Sequence, residues 1–366
     1  MRIGLDYRAG AGYPFSGIGR QNLALEAAIR ANPQDSLQLF GVAPYDHPIR
    51  RRLFAPRWAT PLGAVHRLPE RLKFEGLFLP GALRDAGIEL YVATINMGLP
   101  LGRKPEGLKY VLQLHDLFQL TENNSHGSRL KARVYRCTDR LSIVHSLRVA
   151  DRVWVPSHFT AEQVRRLFPW AQGKLRVVPH VVPGFGEEPA DISLLQLPER
   201  YWLCVGTREP RKNIAWLVEA WQTARLRTPQ VPDLVLVGGD EPLSPAQRAL
   251  SGLHVLRGLE DAQLHALYAG AERLWHPSRA EGFGLPVIEA LSTGTPVAVA
   301  SGSSLDEITP PDSPRFVPGD SAALVRLMGV LASAGPQDRQ PLKDWAAQYG
   351  VAAFEQRIHD ALEELR

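Results

Sequence analysis

Short apolar runs alternate with longer amphipathic stretches along almost the whole chain. In the first half, Ile3–Tyr7, Leu37–Val42, Leu90–Thr94, Tyr110–Leu114, Arg152–Pro156 and Leu175–Val178 predict strands. Helical spacing fills the intervals, over Gly19–Ala31, Leu72–Ala86, Leu130–Ala150 and Thr160–Phe168. Apolar strands divided by helices predict a parallel sheet covered on both faces. The second half repeats the design. Its strands are expected at Trp202–Val205, Leu234–Val237, Val255–Arg257, Arg273–His276 and Val297–Ala300. Its helices are expected near Ala215–Arg225, Asp261–Ala269, Pro286–Ser292 and Ala322–Ala332. Between the halves, Pro179–Leu197 is proline-rich, has little period and reads as a linker. The chain is therefore expected to be α/β, with two doubly wound, Rossmann-like domains at 1–180 and 181–345 facing a central cleft. Pro341–Arg366 carries Trp345, Ala346, Val351, Phe354, Ile358 and Leu362 at helical spacing.

A length of 366 residues suits two domains, each with its own core. Met1–Asp6 reads as a first strand rather than a signal peptide, and no apolar run is long enough to span a bilayer. Cys137 and Cys204 have no metal spacing, and each is expected to be a small buried apolar residue in a reducing cytoplasm. Charge changes the picture more. Residues 1–180 carry 26 Lys and Arg against 14 Asp and Glu, a net +12, whereas residues 181–366 carry 16 against 24, a net −8. Residues 50–84 hold eight basic residues against Glu70 and Glu75, interleaved with Leu53, Phe54, Trp58, Leu72, Phe74, Leu77 and Phe78. That mixture suits peripheral contact with an anionic membrane, and equally an ordinary arginine-rich surface. No nucleic-acid motif accompanies it, so nucleic acid is not an expected partner.

The most informative segment is Pro277-Ser278-Arg279-Ala280-Glu281-Gly282-Phe283-Gly284-Leu285-Pro286-Val287-Ile288-Glu289. A glycine-rich turn runs into an apolar helix, and Pro286 suits a first helical turn. Backbone N–H groups around Gly282, Phe283, Gly284 and Leu285 lack intrahelical partners, which makes an anion site. Glu281 in the turn and Glu289 on the helix can accept hydroxyl hydrogens of a sugar and a ribose. The same turn also arises where a helix simply needs a start. Three further segments have similar chemistry. Ser16-Gly17-Ile18-Gly19-Arg20 follows a strand and precedes a helix, but Asn22 stands where a dinucleotide fingerprint needs a third glycine. His115-Asp116 ends a strand, either as a site pair in which Asp116 orients the imidazole or as a satisfied core histidine beside a helix cap. Gly206-Thr207-Arg208-Glu209-Pro210-Arg211-Lys212-Asn213 is a basic turn in which Lys212 opens a helix, where a cation is unfavourable unless an anion arrives. Ser301–Ile308 has capping spacing.

In this order the segments resemble glycosyltransferase family 4, the retaining GT-B glycosyltransferases with an E-x7-E motif, and among them mannosyl- and rhamnosyltransferase-like members. The resemblance implies the GT-B fold, with residues 346–366 packing back on the first domain. It implies a retaining transfer of a hexose from a nucleotide-diphosphate sugar, of the GDP-mannose or GDP- or dTDP-rhamnose type, to a lipid-linked or cell-surface polysaccharide acceptor. By residue, it implies that Lys212, with Arg208 or Arg211, grips the diphosphate, since Thr207 stands where relatives carry arginine. Gly17 and Gly19 approach the donor phosphates, Ser278 belongs to the donor site, His115 approaches the sugar near the reacting carbon, Glu281 accepts from the sugar, and Glu289 from the ribose. No His/Cys/Asp/Glu cluster has metal spacing, so neither metal nor cofactor is expected, and the leaving diphosphate is stabilised by cations and a helix start. Because Glu281 and Lys212 are expected in an open cleft, replacing either is expected to spare folding. A UDP-sugar epimerase of the same fold and an inactive polysaccharide-assembly subunit remain open as alternatives.

Overall fold

In the computed structural model every residue is described except 62, 63, 65, 66, 122–128, 186, 187, 207 and 208, and of 129–132, 134 and 135 the backbone alone is described. The chain forms two compact units, Met1–Val181 with Val351–Arg366, and Val182–Gly350.

The first unit is built on a seven-stranded sheet. Its strands are β1 (Arg2–Asp6), β2 (Ser36–Phe40), β3 (Leu53–Phe54), β4 (Leu90–Ala93), β5 (Lys109–Gln113), β6 (Arg152–Val155) and β7 (Leu175–Val177). They lie in the order β3-β2-β1-β4-β5-β6-β7, with every pair parallel. Ile3 aligns with Leu37 on one side and Leu90 on the other, so the apolar strand centres coincide. The side-chain period of two then sorts residues onto faces. Leu90, Val92, Val111 and Trp154 bury one face, together with Ile3 and Leu5. Tyr91, Ala93, Tyr110, Leu112, Val153 and Val155 bury the other. The terminal helix Val351–Glu363 inserts Phe354, Ile358, Ala361 and Leu362 into the first of these faces, beside Leu25 and Ile29 of helix Gly17–Arg30.

The second unit repeats the scheme with β8 (Tyr201–Val205), β9 (Asp233–Val237), β10 (Leu253–Leu256), β11 (Arg273–His276), β12 (Val297–Ala300) and β13 (Arg315–Phe316). Their order is β10-β9-β8-β11-β12-β13, again all parallel. Tyr201, Leu203, Leu274 and Val299 pack on one face, and Trp202, Cys204, Trp275 and Ala300 on the other. Because the strands are parallel, the turns that follow β8, β11 and β12 emerge at one edge of the sheet.

Several elements differ from the expectation. The edge strands β3 and β13 are two residues long, too short to show a period. The helix expected over Leu72–Ala86 begins at Leu68 and contains a π-helical stretch, Lys73–Phe78. Pro80 has no N–H to offer the carbonyl four residues back, and Leu79 N donates to Phe74 O five residues back instead. The segment from Pro341 contains two helices, Gln340–Ala347 in the second unit and Val351–Glu363 in the first. Cys204 is buried as expected and its thiol is pushed up to about 12 by burial, but Cys137 is exposed.

Asn22 has a structural use. Its Nδ2 donates to Asp6 O at 2.8 Å and lies 3.2 Å from Thr94 Oγ1, while its Oδ1 accepts from Gly10 N at 2.9 Å. One buried amide thus ties the ends of β1 and β4 to the following turn. Asn22→Ala leaves these groups without partners and is expected to cost about 2–3 kcal/mol of stability. Urea denaturation checks this; a loss below about 0.5 kcal/mol contradicts it.

Candidate active site

In the first unit, Ser16 caps helix Gly17–Arg30, its Oγ accepting from Gly19 N at 3.0 Å. A Cβ on Gly19 would lie 1.9 Å from the Tyr13 carbonyl oxygen, so close backbone packing alone requires glycine there. Gly17 is exposed in the first helical turn. His115, at the carboxyl end of β5, is buried. Its Nε2 lies 2.8 Å from Thr94 O, and its Nδ1 lies 3.0 Å from His180 Nε2. A carbonyl only accepts, so His115 carries its hydrogen on Nε2, and His180 donates to Nδ1. Burial, only partly opposed by the bond to Thr94, pulls His115 down to about 4. Burial and then His115 itself pull His180 well below the ordinary histidine range. Asp116 does not orient the ring. Its Oδ1 accepts from Phe118 N at 3.1 Å, as the start of a short helix requires.

The cationic and acidic residues gather in the second unit, at the carboxyl edge. After β8 the chain forms a single 3-10 turn, Pro210–Lys212. Asn213 follows in the left-handed region, φ 59°, and the helix begins at Ile214. Lys212 therefore precedes the helix rather than opening it. After β11, Pro277–Gly284 forms the glycine-rich turn. Gly284 has φ 108°, and a Cβ there would lie 2.6 Å from Leu305 Cδ2, so conformation and packing both exclude a side chain. Helix Leu285–Ser292 follows, with Pro286 in its first turn.

The two turns are joined through Glu281. Its Oε1 accepts from Lys212 Nζ at 2.6 Å and from His276 Nε2 at 3.0 Å, and Arg211 Nη1 lies 2.7 Å from its Oε2. Arg211 Nη1 also donates to Ala280 O, Arg279 N donates to Arg211 O, and Arg279 Nη2 reaches Asn213 Oδ1. From the turn after β12, Ser304 Oγ lies 2.8 Å from the carbonyl oxygens of both Glu281 and Phe283 and donates its one hydrogen to either. Glu281 is 5% exposed, not in an open cleft. Burial alone would raise its pKa. Lys212, the hydrogen bond from His276 and then Arg211 overcome burial and hold the carboxyl well below the usual carboxylate range. Burial lowers His276 despite its bond to Glu281. One carboxylate thus faces two cations and a neutral imidazole.

The remaining expected residues are arranged around this cluster. Ser278 is buried, its Oγ 3.4 Å from His276 Nε2. Gly282 is buried, and Phe283 packs edge-on against Tyr349 at 5.5 Å. Leu285 and Glu289 are half-buried on the helix, and Glu289 Oε2 accepts from Tyr268 Oη at 2.8 Å. Arg208 lies outside the described residues. His276 was not anticipated from the sequence. The only signal was a polar residue closing the apolar strand Arg273-Leu274-Trp275-His276. Among the described residues no group of three or more His, Cys, Asp or Glu is placed to hold a metal, and no helix is long and apolar enough to cross a membrane.

Two parallel-sheet α/β units, the second gathering cations, carboxylates and a glycine-rich helix start at one sheet edge, have the construction of GT-B glycosyltransferases. The comparisons agree. Residues 199–333 match the family model described as Glycosyl transferases group 1. O-antigen chain mannosyltransferase B of Escherichia coli is 30% identical over 323 residues, 81% of each chain. In fold, the chain is similar to sucrose-phosphate synthase from Thermosynechococcus elongatus, with TM-score 0.74, 19% identity and coverage of 100% and 99%. It is also similar to the Anabaena protein HepE in complex with UDP-glucose, with TM-score 0.65, 17% identity and 99% of both chains covered. The chain belongs to the group 1 glycosyltransferases, family 4-like enzymes of GT-B fold, and is a hexosyltransferase.

Two consequences are measurable. Glu281→Gln leaves Lys212 and Arg211 buried without their counter-charge and is expected to destabilise the fold by about 3 kcal/mol. Unchanged urea unfolding would refute that. For His115, the folded value of about 4 lies below the ordinary 6.5, so its contribution is complete above pH 6.5 and is lost as pH falls towards 4. The slope is about 1.4 kcal/mol per pH unit for each proton taken up only on unfolding. Stability measured from pH 7 to 4 should fall along this window, and His115→Gln should flatten the fall.

Proposed function

We propose that this hexosyltransferase moves a mannosyl residue from GDP-mannose to a lipid-linked or growing cell-surface polysaccharide acceptor, with retention of anomeric configuration. The likeness to the O-antigen chain mannosyltransferase over 81% of both chains supports the sugar and the acceptor class. HepE, of the same fold, has been crystallised with UDP-glucose, which supports a nucleotide-diphosphate sugar as the donor class. A rhamnosyl donor is the alternative to mannose.

The observation that carries the reading is the Lys212–Glu281–Arg211 cluster beside the glycine-rich helix start. Lys212 has three hydrogens to give, and Glu281 takes one at 2.6 Å. The other two suit the diphosphate of a donor, whose leaving charge they stabilise without metal. Arg211 is largely committed to Glu281, Ala280 O and Glu209, so its contribution is mainly to the field. Glu281 offers about four acceptor positions and uses three, which leaves one for a sugar hydroxyl. Glu289 accepts from Tyr268 and takes the ribose, while the N–H groups of Gly282 to Leu285 meet the phosphates. His115 has both ring nitrogens engaged, so it would meet a ligand only by exchanging its bond to His180. The leaving phosphate accepts the acceptor's proton, since no side chain is assigned as a nucleophile.

On the acceptor side, the basic run 50–84 is less free than its composition suggests. Arg50 donates to Ala43 O and Pro56 O, Arg52 to Glu26, and Arg71 pairs with Asp139. A membrane contact there would rest on exposed Leu72 and Leu77 with Lys73.

GDP-mannose, the rhamnosyl donors and UDP-glucose, each with a lipid-linked acceptor and without added metal, are the test. Transfer of mannose from GDP-mannose supports the reading. Transfer of another sugar alone, or conversion of a UDP-sugar without acceptor, overturns it. Lys212→Ala should lower kcat by about 100- to 1,000-fold, as loss of a transition-state charge contact does. An unchanged kcat would remove the cluster from catalysis.

A further inference from the structure

The opposite, amino-terminal edge of the second sheet carries a cavity of about 340 Å³. Arg200 and Trp202 at the start of β8, Glu272 and Arg273 at the start of β11, and Pro296 just before β12 form one side. Leu331 with the connection Ala334 to Arg339 forms the other. The catalytic cluster follows the carboxyl ends of β8 and β11, so the two lie at opposite ends of the same strands.

Three guanidinium groups line this cavity against one carboxylate, a surplus of two positive charges. Arg200 is paired with Glu272, Nε to Oε1 at 2.5 Å and Nη2 to Oε2 at 3.3 Å. Arg339 is anchored on backbone, donating to Ala269 O at 2.5 Å and Ala271 O at 3.4 Å. Arg273 is the unusual member. It is 8% exposed, and among the described residues it forms no ion pair and one hydrogen bond, Nη1 to Val297 O at 3.3 Å. Burial pulls it down to about 10, only partly opposed by Glu272. A buried guanidinium with a single long hydrogen bond and no ion pair among the described residues is costly. An arginine so placed, with a second on the rim, matches the planar, doubly accepting face of a phosphate.

We propose that this cavity is a second ligand site that binds a phosphate dianion, either inorganic phosphate or the phosphoryl end of a small sugar phosphate. The surplus of two charges matches a dianion, and the volume admits a monosaccharide phosphate but little more. Arg273 supplies the buried contact, Arg339 the rim contact, and Glu272 holds Arg200 in place. The connection between helices Ser321–Ala332 and Gln340–Ala347 forms one wall, so occupancy would stiffen that connection.

Calorimetric titration of the full chain with inorganic phosphate and separately with a hexose 6-phosphate tests this. The expected result is saturable binding by the wild type and by Lys212→Ala, weakened about tenfold in Arg339→Ala and Arg273→Gln. Arg339→Ala guards against a folding defect in Arg273→Gln. Tighter binding of the hexose phosphate names a sugar phosphate as the ligand, and equal binding names phosphate itself. Absence of saturable binding by the wild type up to about 10 mM overturns the proposal. So does binding lost in Lys212→Ala but kept in both arginine variants, which would place the phosphate in the catalytic cluster. Sugar transfer is assayed separately, so neither result decides the mannosyltransferase reading.

Discussion

The second unit is organised around a buried carboxylate that has to remain charged. Glu281 is almost wholly removed from water, and an unpaired carboxylate there would be intolerable. Lys212 and Arg211 compensate for it, and both come from a turn about seventy residues earlier in the chain. Such a meeting is possible only because β8 and β11 are parallel neighbours, whose following turns emerge side by side. Ser304, from the turn after β12, fixes the backbone on either side of Gly282. Two loops are therefore held in register by one charge, and the third by a hydroxyl. The requirement for stability and the arrangement proposed to bind a diphosphate are the same set of contacts.

The first unit uses a related device at the end of its own sheet. Arg8 is buried between Asp6 at 2.7 Å and Glu75 at 3.0 Å, and its guanidinium lies 4.5 Å from the centre of the Phe74 ring. Asp6 ends β1, and Glu75 belongs to the π-helical stretch, so this ion group locks a wide turn of helix to a strand end. Asn22 and the His115–His180 pair do similar work with neutral groups at the neighbouring strand ends. Polar residues at the carboxyl ends of these strands are in large part self-satisfied. That explains why glycine at 19 and asparagine at 22 are needed before any ligand is considered.

The elements carried by a long apolar period were legible in the sequence. Eleven of the thirteen strands among the described residues were expected close to their observed places, because most alternate their side chains between two buried faces. The two missed strands have two residues each and take their pairing from neighbours rather than from a pattern of their own. The glycine-rich turn and its two glutamates were legible because glycine at positive φ and proline in a first helical turn leave a strong mark. The partners of Glu281 were legible only in part. Lys212 and Arg211 advertise an anion site, but nothing local says that the anion they meet first is a side chain. His276 looked like the end of a strand. His115 and Asp116 were adjacent, yet their hydrogen bonds run to different partners, since Asp116 caps the next helix. Contacts between side chains far apart in sequence are set by strand order, which a single sequence does not display.

The burial of Glu281 also bears on how the cluster would act. A lysine on an exposed turn would have to give up conformational freedom to grip a diphosphate, and that loss would weaken the grip. Here the Lys212 ammonium is already fixed by a 2.6 Å bond, with 12% of its side chain exposed. Its remaining hydrogens are oriented in advance, which is the condition under which a charge stabilises a transition state most. The cost is that Glu281 partly neutralises Lys212. Arg211 offsets this by drawing on the other carboxylate oxygen, while Glu209 pairs with Arg211 in turn. A glutamate in this position therefore has two linked consequences: it holds the cation still, and it places its last acceptor position beside the glycine-rich turn, where a sugar hydroxyl would be oriented by the same charge.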